Sequence, residues 1–290
     1  MARLSIPRIG LGLYQMTAEQ MEEVIPKAID LGYRHFDGAA IYENQAAMGL
    51  ALQKLFETGK IKRSDLFITD KLWDTQHSCV EAACRESLNN CRLDYFDLYL
   101  IHWPFSVVPS KMNPMTAERV NGVAVIDGNV TLSGVWRDME KLVDLGLVRH
   151  IGVSNFLQSH LEEILQVARI KPAVQQIEIH PLLPQRQMVE SCNRHEIQVE
   201  AYAPLGGGKL ITNPIVQKVA AEIGATPSQV LISFALQRNL VALVKTSKID
   251  RLCENMRVFE LSDAQMTRLY SLETGERFFD PQSWYGLKLF

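Results

Sequence analysis

Length, composition and charge describe an ordinary globular chain and exclude several classes of protein. The chain has 290 residues, of which 47% are hydrophobic and 22% are charged, enough for a large core. Its formal net charge of −3 argues against nucleic acid as a partner, because neutralising phosphates needs an excess of Lys and Arg.

The sequence also gives no sign of a membrane protein or a secreted one. No apolar run approaches the roughly 18 residues of a membrane span, and the N-terminal stretch MARLSIPRIG lacks the apolar segment and cleavage site of a secretory signal. The five cysteines are an odd number without a CxxC pair or a companion His at ligand spacing. Cys84 and Cys91 could share a helix face, but we expect reduced thiols packed in a core. This usage predicts a cytoplasmic protein without a metal site.

The first half of the chain alternates short apolar runs with amphipathic segments. GLGLY is the first predicted strand, and Thr17 and Gln20 form a capping box for a helix that ends at Leu31-Gly32. The next strands are YRHFD, LFITDKL and FDLYLIHW, and we expect helices over about 46–56 and roughly 77–90.

The second half continues the alternation. The predicted strands are VRHIGVS, AVQQIEI, IQVEAYA and LVALVK. A helix striped by Trp136, Met139 and Val143 precedes the first of them. The other predicted helices lie around 161–168, near Met188, over 213–223, after the cap Thr226-Pro227, over 249–256 and after a capping box at Ser262 and Gln265.

This count of about eight strands, each followed by a helix, predicts an α/β fold of the (β/α)8 TIM-barrel type. The strands are continuous apolar runs, as expected for parallel strands covered by helices. No linker interrupts the pattern, so we expect one domain over residues 1–290. The segment 105–133 after the fourth strand is too long for an ordinary connection and predicts a functional loop over the barrel mouth.

Polar residues stand at the ends of the second, third and fourth strands, where barrel active sites lie. Asp37, Lys71 and His102 hold these positions, and Tyr42 follows on the loop after the second strand. Each residue alone could be structural, as a helix cap, a surface lysine, a core histidine or an outward hydroxyl. Four titratable groups converging on one rim favour catalysis, because stability does not require that pattern.

Together these four groups suit the protonation of a carbonyl oxygen. The ammonium of Lys71 is expected to lower the pKa of Tyr42, so that the phenol can act as an acid. Asp37 would hold Lys71 charged and oriented, and His102 would direct the carbonyl by hydrogen bonding. No metal site or activated nucleophile accompanies them, so the hydride is expected to come from a cofactor.

The cofactor site is predicted at the loops after the later strands. No GxGxxG follows a strand, which argues against a doubly wound dinucleotide domain. The loop VKTSKIDRLCEN after the last strand offers phosphate ligands and favours NADP over NAD, although a solvated basic turn is the alternative. Its candidate ligands are Lys245, Thr246, Ser247, Lys248 and Arg251. GVSNF (152–156), Gln176 and Tyr202 could receive a nicotinamide ring or could equally be polar core residues.

In these motifs the sequence resembles the aldo-keto reductase family along nearly its whole length. The resemblance is carried by LGLG, DGAAIYEN, FITDKLW, LDYFDLYLIHWP, MEKLVDLGLVRHIGVSNF, QQIEIHP, YAPLGGG and VKTSKIDRLCEN. It implies a (β/α)8 barrel with NADPH across its rim and reduction of a small-molecule carbonyl substrate to an alcohol.

The resemblance also assigns roles to individual residues. It makes Tyr42 the general acid, Asp37 and Lys71 its pKa partners, and His102 the group that orients the carbonyl. The implied cofactor contacts are Ser154, Asn155, Gln176, Tyr202 and Leu205 around the nicotinamide half, Lys245, Thr246 and Arg251 at the 2′-phosphate, and Glu254 and Asn255 toward the adenine.

Three positions depart from the family pattern. Tyr14 stands where the family often has Trp, Gly38 where it usually has Ser, Thr or Cys, and Gln45 where it usually has Glu. The C-terminal specificity loop, with SWYGLKLF, is expected to be short. The predicted substrate-contacting residues are aromatic and suggest hydrophobic or aromatic aldehydes and ketones; they are Tyr14, Trp73, Trp103 and Phe105, beside His102.

Two other functions remain open at this point. A non-catalytic barrel could bind the same cofactor as a sensor, and an unrelated barrel enzyme could use Lys71 as a Schiff-base amine. The intact set of four polar groups argues against the sensor. With no coiled-coil repeat in the sequence, a monomer is the expected state.

Overall fold

The computed structural model describes residues 4–290, so the first three residues of the stretch MARLSIPRIG lie outside the described part. This described part contains ten strands: β1 (Ile9–Gly12), β2 (His35–Asp37), β3 (Phe67–Leu72), β4 (Phe96–Ile101), β5 (Arg119–Val120), β6 (Val123–Ala124), β7 (Val148–Ser154), β8 (Val174–Glu178), β9 (Gln198–Tyr202) and β10 (Val241–Val244). Eight of them form a closed parallel barrel in the order β1-β10-β9-β8-β7-β4-β3-β2, while β5 and β6 form a separate antiparallel pair. The predicted (β/α)8 barrel is confirmed.

Helices surround the barrel on its outer side. They are α1 (Ala18–Asp30), α2 (Gln45–Glu57), α3 (Val80–Cys91), α4 (Leu132–Asp144), α5 (Gln158–Val167), α6 (Arg186–Arg194), α7 (Pro214–Ile223), α8 (Pro227–Gln237), α9 (Ile249–Asn255), α10 (Asp263–Tyr270) and α11 (Gln282–Tyr285). Short 3-10 helices cover Ala40–Tyr42, Arg63–Asp65, Asp74–Cys79 and Gly206–Thr212.

Capping chemistry decides where several helices begin. The predicted capping boxes at Thr17 and Ser262 are present, and the predicted cap at Thr226 also forms one; in each, a glutamine three residues later bonds back to the cap backbone. The third helix begins later than predicted, at Val80 rather than near His77. A 3-10 helix precedes it, and the backbone of Cys79 leaves the helical region at φ −142°.

The buried face of the helices and the strands form the core. Within residues 4–290, no single helix is long and apolar enough to cross a membrane, and α7 and α8 meet that test only together, with a bend of 88° between them. All five cysteines lie in the described residues and are free. Cys84 and Cys91 are buried on α3, as expected for thiols that pack in the core.

The long segment after β4 folds back over one side of the barrel mouth. It contains the β5–β6 pair and a further antiparallel bridge between Val107 and Ile126. Trp73, just after β3, donates from Nε1 to the Met115 carbonyl at 2.8 Å. The ring of Tyr285 in α11 packs against Trp73 at 6.1 Å. The segment and the C-terminal helix therefore meet beside the ends of the barrel strands.

A buried polar contact joins α2 to the outer face of β3. Gln45 Nε2 donates to Asp70 Oδ2 at 2.8 Å, and both side chains are buried. Burial raises the pKa of Asp70 to about 6, although the bonds from Gln45 and from the Lys71 backbone oppose the shift. The glutamine therefore supplies a donor where the family pattern of Glu would place a second carboxylate.

We predict that Gln45→Glu lowers the free energy of unfolding by about 1–3 kcal/mol, because Asp70 loses its donor and faces a like group. The raised pKa of Asp70 means that the folded chain holds its proton more tightly than the unfolded chain. The variant loses the Gln45 bond that lowers this pKa, so the Asp70 pKa should rise further and the loss of stability should grow as the pH rises from 5 to 8.

Urea unfolding at both pH values measures this effect. Gln217→Glu, at an exposed position of α7, is the matched control and should change stability little. Equal stability of Gln45→Glu and the parent chain at pH 8 would contradict the role given to the Gln45 donor.

Candidate active site

The predicted aspartate, lysine and tyrosine meet at the C-terminal end of the barrel. Asp37 is the last residue of β2, and Lys71 is the next-to-last residue of the neighbouring strand β3. Lys71 Nζ donates to Asp37 Oδ2 and to the Gly38 carbonyl, each at 2.7 Å. The same nitrogen lies 3.4 Å from the hydroxyl of Tyr42, which the 3-10 turn after β2 carries to this side. One ammonium therefore contacts all three partners.

Burial and charge act in opposite directions on the pKa values of this cluster. Burial disfavours the ammonium of Lys71, but Asp37 and Tyr42 outweigh burial and raise the pKa of Lys71 above its usual value. For Tyr42, burial raises the pKa to about 12 and exceeds the lowering by Lys71. Lys71 lowers the pKa of Tyr42 as expected, but the expected net lowering is wrong. Desolvation of the phenolate raises the pKa by more than the ammonium of Lys71 lowers it.

His102 directly follows β4 and faces the same cluster. Its ring centroid lies 6.0 Å from that of Tyr42 and 5.2 Å from that of Trp73. Burial, with smaller contributions from Lys71 and His77, lowers the pKa of His102 well below its usual value. The imidazole is therefore neutral at neutral pH.

The residues predicted around the nicotinamide form one hydrogen-bonded group across β7, β8 and β9. Ser154 Oγ donates to the Gln176 carbonyl at 2.9 Å, and Asn155 Nδ2 contacts Ser154 Oγ at 3.1 Å. The Tyr202 hydroxyl donates to Asn155 Oδ1 at 2.7 Å. Asn155 has a φ of 61°, in the left-handed region that asparagine tolerates. The structure therefore joins the adjacent residues Ser154 and Asn155 to Gln176 and Tyr202, which lie on later strands of the barrel.

Gln176 joins this group to the cluster of Asp37, Lys71 and Tyr42. Its Nε2 donates to Asp37 Oδ1 and to Glu200 Oε2, both at 2.9 Å. Glu200 was not among the site residues predicted from the sequence. A signal was available, because strand alternation places Glu200 on the same face of β9 as Tyr202, which was predicted to face the cofactor.

The basic loop after β10 leaves its cations free. Lys245, Lys248 and Arg251 are exposed, and none forms an ion pair with a carboxylate within residues 4–290. Thr246 is buried, and its Oγ1 accepts a hydrogen bond from the Lys248 amide at 3.1 Å. Unpaired cations on one loop fit a phosphate group, whose charge they could neutralise.

The remaining predicted cofactor residues lie around this loop and around the loop after β9. Glu254 accepts a hydrogen bond from the Thr226 hydroxyl, so its carboxylate contacts the first turn of α8. Asn255 ends α9 and is buried. Leu205 is partly buried against the core, immediately before the 3-10 helix Gly206–Thr212.

The predicted substrate residues differ in exposure. Tyr14 is 42% exposed, and its ring lies 5.0 Å from that of Tyr42. Trp73 and Trp103 are buried beside His102 in an aromatic cluster that Phe105 joins. The structure therefore places an exposed aromatic ring beside Tyr42 and a buried aromatic cluster beside His102.

The C-terminal segment contributes an aromatic side chain that was not predicted from the sequence. The Phe279 ring lies 6.4 Å from Tyr14 and 5.7 Å from Tyr202. Its backbone amide donates to buried Glu178 at 3.1 Å, as does that of Phe278 at 2.8 Å. Phe279 thus lies between a predicted substrate residue and a predicted cofactor residue. Sequence periodicity carries no signal for such a loop contact.

Comparison with known proteins gives a consistent result. The sequence profile of the Aldo/keto reductase family matches residues 8–274. The NADP-dependent D-sorbitol-6-phosphate dehydrogenase of Malus domestica is 39% identical, covering 98% of this chain and 96% of that protein. The aldose reductase of Encephalitozoon cuniculi is 41% identical, covering 95% of this chain and 93% of that protein.

A solved structure agrees with the sequence comparisons. The aldose reductase of Schistosoma japonicum superimposes with a TM-score of 0.91 at 41% identity, covering 98% of this chain and 94% of that chain. With the matching profile and the closed barrel, this likeness extends over nearly all of the sequence. The chain therefore belongs to the aldo/keto reductase family of oxidoreductases.

Proposed function

We propose that the protein reduces aldehydes or ketones to alcohols with NADPH, using Tyr42 as the general acid. The observation that carries the proposal is the cluster of Asp37, Tyr42 and Lys71, with neutral His102 beside it, at the C-terminal end of the barrel. Family membership supports carbonyl reduction as the reaction class. The names of two relatives, an NADP-dependent dehydrogenase and an aldose reductase, support the cofactor and the substrate class.

The four groups divide the work of proton transfer. NADPH, when bound, supplies the hydride that adds to the carbonyl carbon. Tyr42 holds its proton at neutral pH and gives it to the carbonyl oxygen, which completes the alcohol. The Lys71 ammonium, 3.4 Å from that hydroxyl, stabilises the phenolate left behind, and Asp37 keeps the ammonium charged. Neutral His102 donates one ring N–H to the carbonyl oxygen and orients it.

The surrounding residues fit NADPH. Ser154, Asn155, Gln176 and Tyr202 present amide and hydroxyl groups and a flat ring at the strand ends, where the nicotinamide must lie to reach the catalytic cluster. We assign the unpaired cations on the loop after β10, with Thr246, to the 2′-phosphate. Leu205, Glu254 and Asn255 complete the proposed cofactor contacts.

The walls near Tyr42 suggest the substrate class. Tyr14, Trp73 and Trp103 offer aromatic surfaces and no charge, so we propose small carbonyl compounds with an apolar or aromatic portion. We further propose that residues 1–290 form one barrel domain that works as a monomer in the cytoplasm. Analytical ultracentrifugation would contradict the monomer if the mass exceeded that of one chain.

The structure offers no support for Lys71 as a Schiff-base amine. Such an amine must lose its proton to attack a carbonyl, whereas Asp37 and Tyr42 raise the pKa of Lys71 above its usual value against the effect of burial. Lys71 Nζ also donates a hydrogen bond to Asp37, which holds the nitrogen in its protonated form. Borohydride trapping of a carbonyl compound on Lys71 would reverse this assignment.

We predict that Tyr42→Phe lowers kcat for carbonyl reduction by about 100- to 10,000-fold, the usual contribution of a positioned general acid. The affinity for NADPH should change little, because the ring remains. Loss of NADPH absorbance with a panel of aldehydes and ketones measures the first effect, and calorimetric titration measures the second.

Tyr95→Phe is the matched control for this experiment. Its ring lies between Arg63 and Arg149, at the opposite end of β4 from His102. The control should reduce carbonyls at the parental rate. Parental turnover by Tyr42→Phe would remove Tyr42 from the role of acid.

We predict that Arg251→Ala raises KM for NADPH by about 10- to 100-fold, as expected for the loss of a charged hydrogen bond to phosphate. The KM for NADH, which lacks the 2′-phosphate, should stay within a factor of about 2, so that the preference for NADPH shrinks.

Steady-state kinetics with both cofactors provide the measurement. Arg137→Ala, at an exposed position of α4, is the control and should leave both KM values as in the parent. An equal rise of both KM values in Arg251→Ala would place the phosphate contact elsewhere.

A further inference from the structure

Glu200 is a buried carboxyl group that the proposed chemistry does not use. It lies on β9, where the barrel register sets it directly opposite Gln176 of β8. No solvent reaches the side chain, and its Oε1 is enclosed without a hydrogen-bond partner in residues 4–290. A buried carboxyl group with one oxygen that lacks a hydrogen bond lowers the stability of the fold. Its presence in the barrel is therefore better explained by a function than by stability.

The only side-chain partner of Glu200 in the described residues is the amide of Gln176. Gln176 Nε2 lies 2.9 Å from Glu200 Oε2 and 2.9 Å from Asp37 Oδ1. An amide nitrogen has two hydrogens, and here each has its own carboxyl acceptor. A flipped amide would turn its oxygen toward the Asp37 carboxylate, which has no hydrogen to donate, so Asp37 excludes the flipped orientation and Glu200 Oε2 provides the acceptor for the second amide hydrogen.

The orientation leaves the amide oxygen available. Gln176 Oε1 accepts no hydrogen bond from the described residues, and unlike Glu200 Oε1 it is not one of the enclosed atoms without a partner. The Gln176 backbone is held by the Ser154 hydroxyl, in the group proposed to contact the nicotinamide. An N–H donor on the cofactor could therefore bond to Gln176 Oε1 without rotation of the amide.

We propose that Glu200 is a positioning residue for the cofactor: with Asp37 it holds Gln176 Nε2, so that Gln176 Oε1 accepts a hydrogen bond from the carboxamide N–H of the nicotinamide. This inference rests on the proposed function, because it requires NADPH or NADP⁺ at the strand ends. It adds a role for a residue that contacts neither the substrate nor the cofactor.

The charged and titratable groups that face Glu200 determine its protonation. They are Asp37 from β2 and Lys71 from β3, with the neutral amide of Gln176 from β8. Burial, followed by Asp37, raises the pKa of Glu200 to about 8, against smaller lowering by Gln176 and Lys71. At neutral pH the group is therefore an uncharged acid that still accepts through Oε2. An amide at this position could accept in the same way.

The test compares Glu200→Leu with the parent chain by calorimetric titration, without any turnover. Leucine removes the acceptor, so the Kd for NADP⁺ should rise about 3- to 10-fold, the range for one neutral hydrogen bond. The Kd for 2′,5′-ADP, which lacks the nicotinamide, should not change. Glu200→Gln keeps an acceptor and should bind NADP⁺ within about 2-fold of the parent.

A cofactor analogue identifies the hydrogen bond itself. The 3-acetylpyridine analogue of NADP⁺ replaces the carboxamide NH₂ by a methyl group and cannot donate. The parent chain should bind the analogue more weakly than NADP⁺. Glu200→Leu should bind the two with similar affinity, because the bond is already weakened. Glu200→Met, which also lacks an acceptor, gives the same comparison if the leucine variant fails to fold.

The outcomes separate this inference from the proposed function. If the parent binds NADP⁺ and 2′,5′-ADP but the leucine or methionine variant binds NADP⁺ as tightly, only the role of Glu200 is overturned. The role of Glu200 would also be overturned if Glu200→Leu lost as much affinity for 2′,5′-ADP as for NADP⁺. The same holds if Glu200→Gln lost as much affinity for NADP⁺ as Glu200→Leu. If the parent binds neither ligand, both the proposed function and the inference fail.

Discussion

The ion pair between Lys71 and Asp37 is the contact on which the rest of the site depends. Its atoms lie 2.7 Å apart, and the two side chains are only 1% and 6% exposed. Either group alone would carry a large desolvation cost in this position, so each requires the other. The hydroxyl of Tyr42 contacts the ammonium, and the amide of Gln176 contacts the carboxylate. The proposed acid and the proposed cofactor contact are therefore both arranged around one pair of charges.

Three buried carboxyl groups lie on β2, β3 and β9, and their hydrogen-bond partners differ. Asp37 accepts hydrogen bonds from the Lys71 ammonium and the Gln176 amide. Asp70, on the outer face of β3, accepts from the Gln45 amide, and Glu200, inside the barrel, accepts from the Gln176 amide. Burial raises the pKa of Asp70 to about 6 and that of Glu200 to about 8. Lys71, Asp37 and Glu200 form one ammonium, one carboxylate and one neutral acid, whose charges nearly cancel. This balance makes a polar interior compatible with a stable barrel.

Much of this arrangement was predictable from local patterns in the sequence. Apolar runs gave the barrel strands, and capping boxes such as that of Thr17 gave helix starts, because both signals depend on residues close together in the chain. The position of Asp37 and Lys71 at strand ends followed from the same counting. The net pKa shift of Tyr42 was predicted with the wrong sign, because desolvation depends on the atoms packed around the phenol and not on the identity of one charged neighbour.

The sequence by itself determined the order of strands and helices, the family, and which titratable residues end neighbouring strands. Only the tertiary structure decided that Gln176 bridges Asp37 and Glu200, that Gln45 supplies the donor for Asp70, and that Phe279 reaches Tyr14. These contacts join residues distant in the chain, and the distances between them follow from barrel closure and register. Burial, which sets the charge of each acid, likewise exists only once the chain has packed.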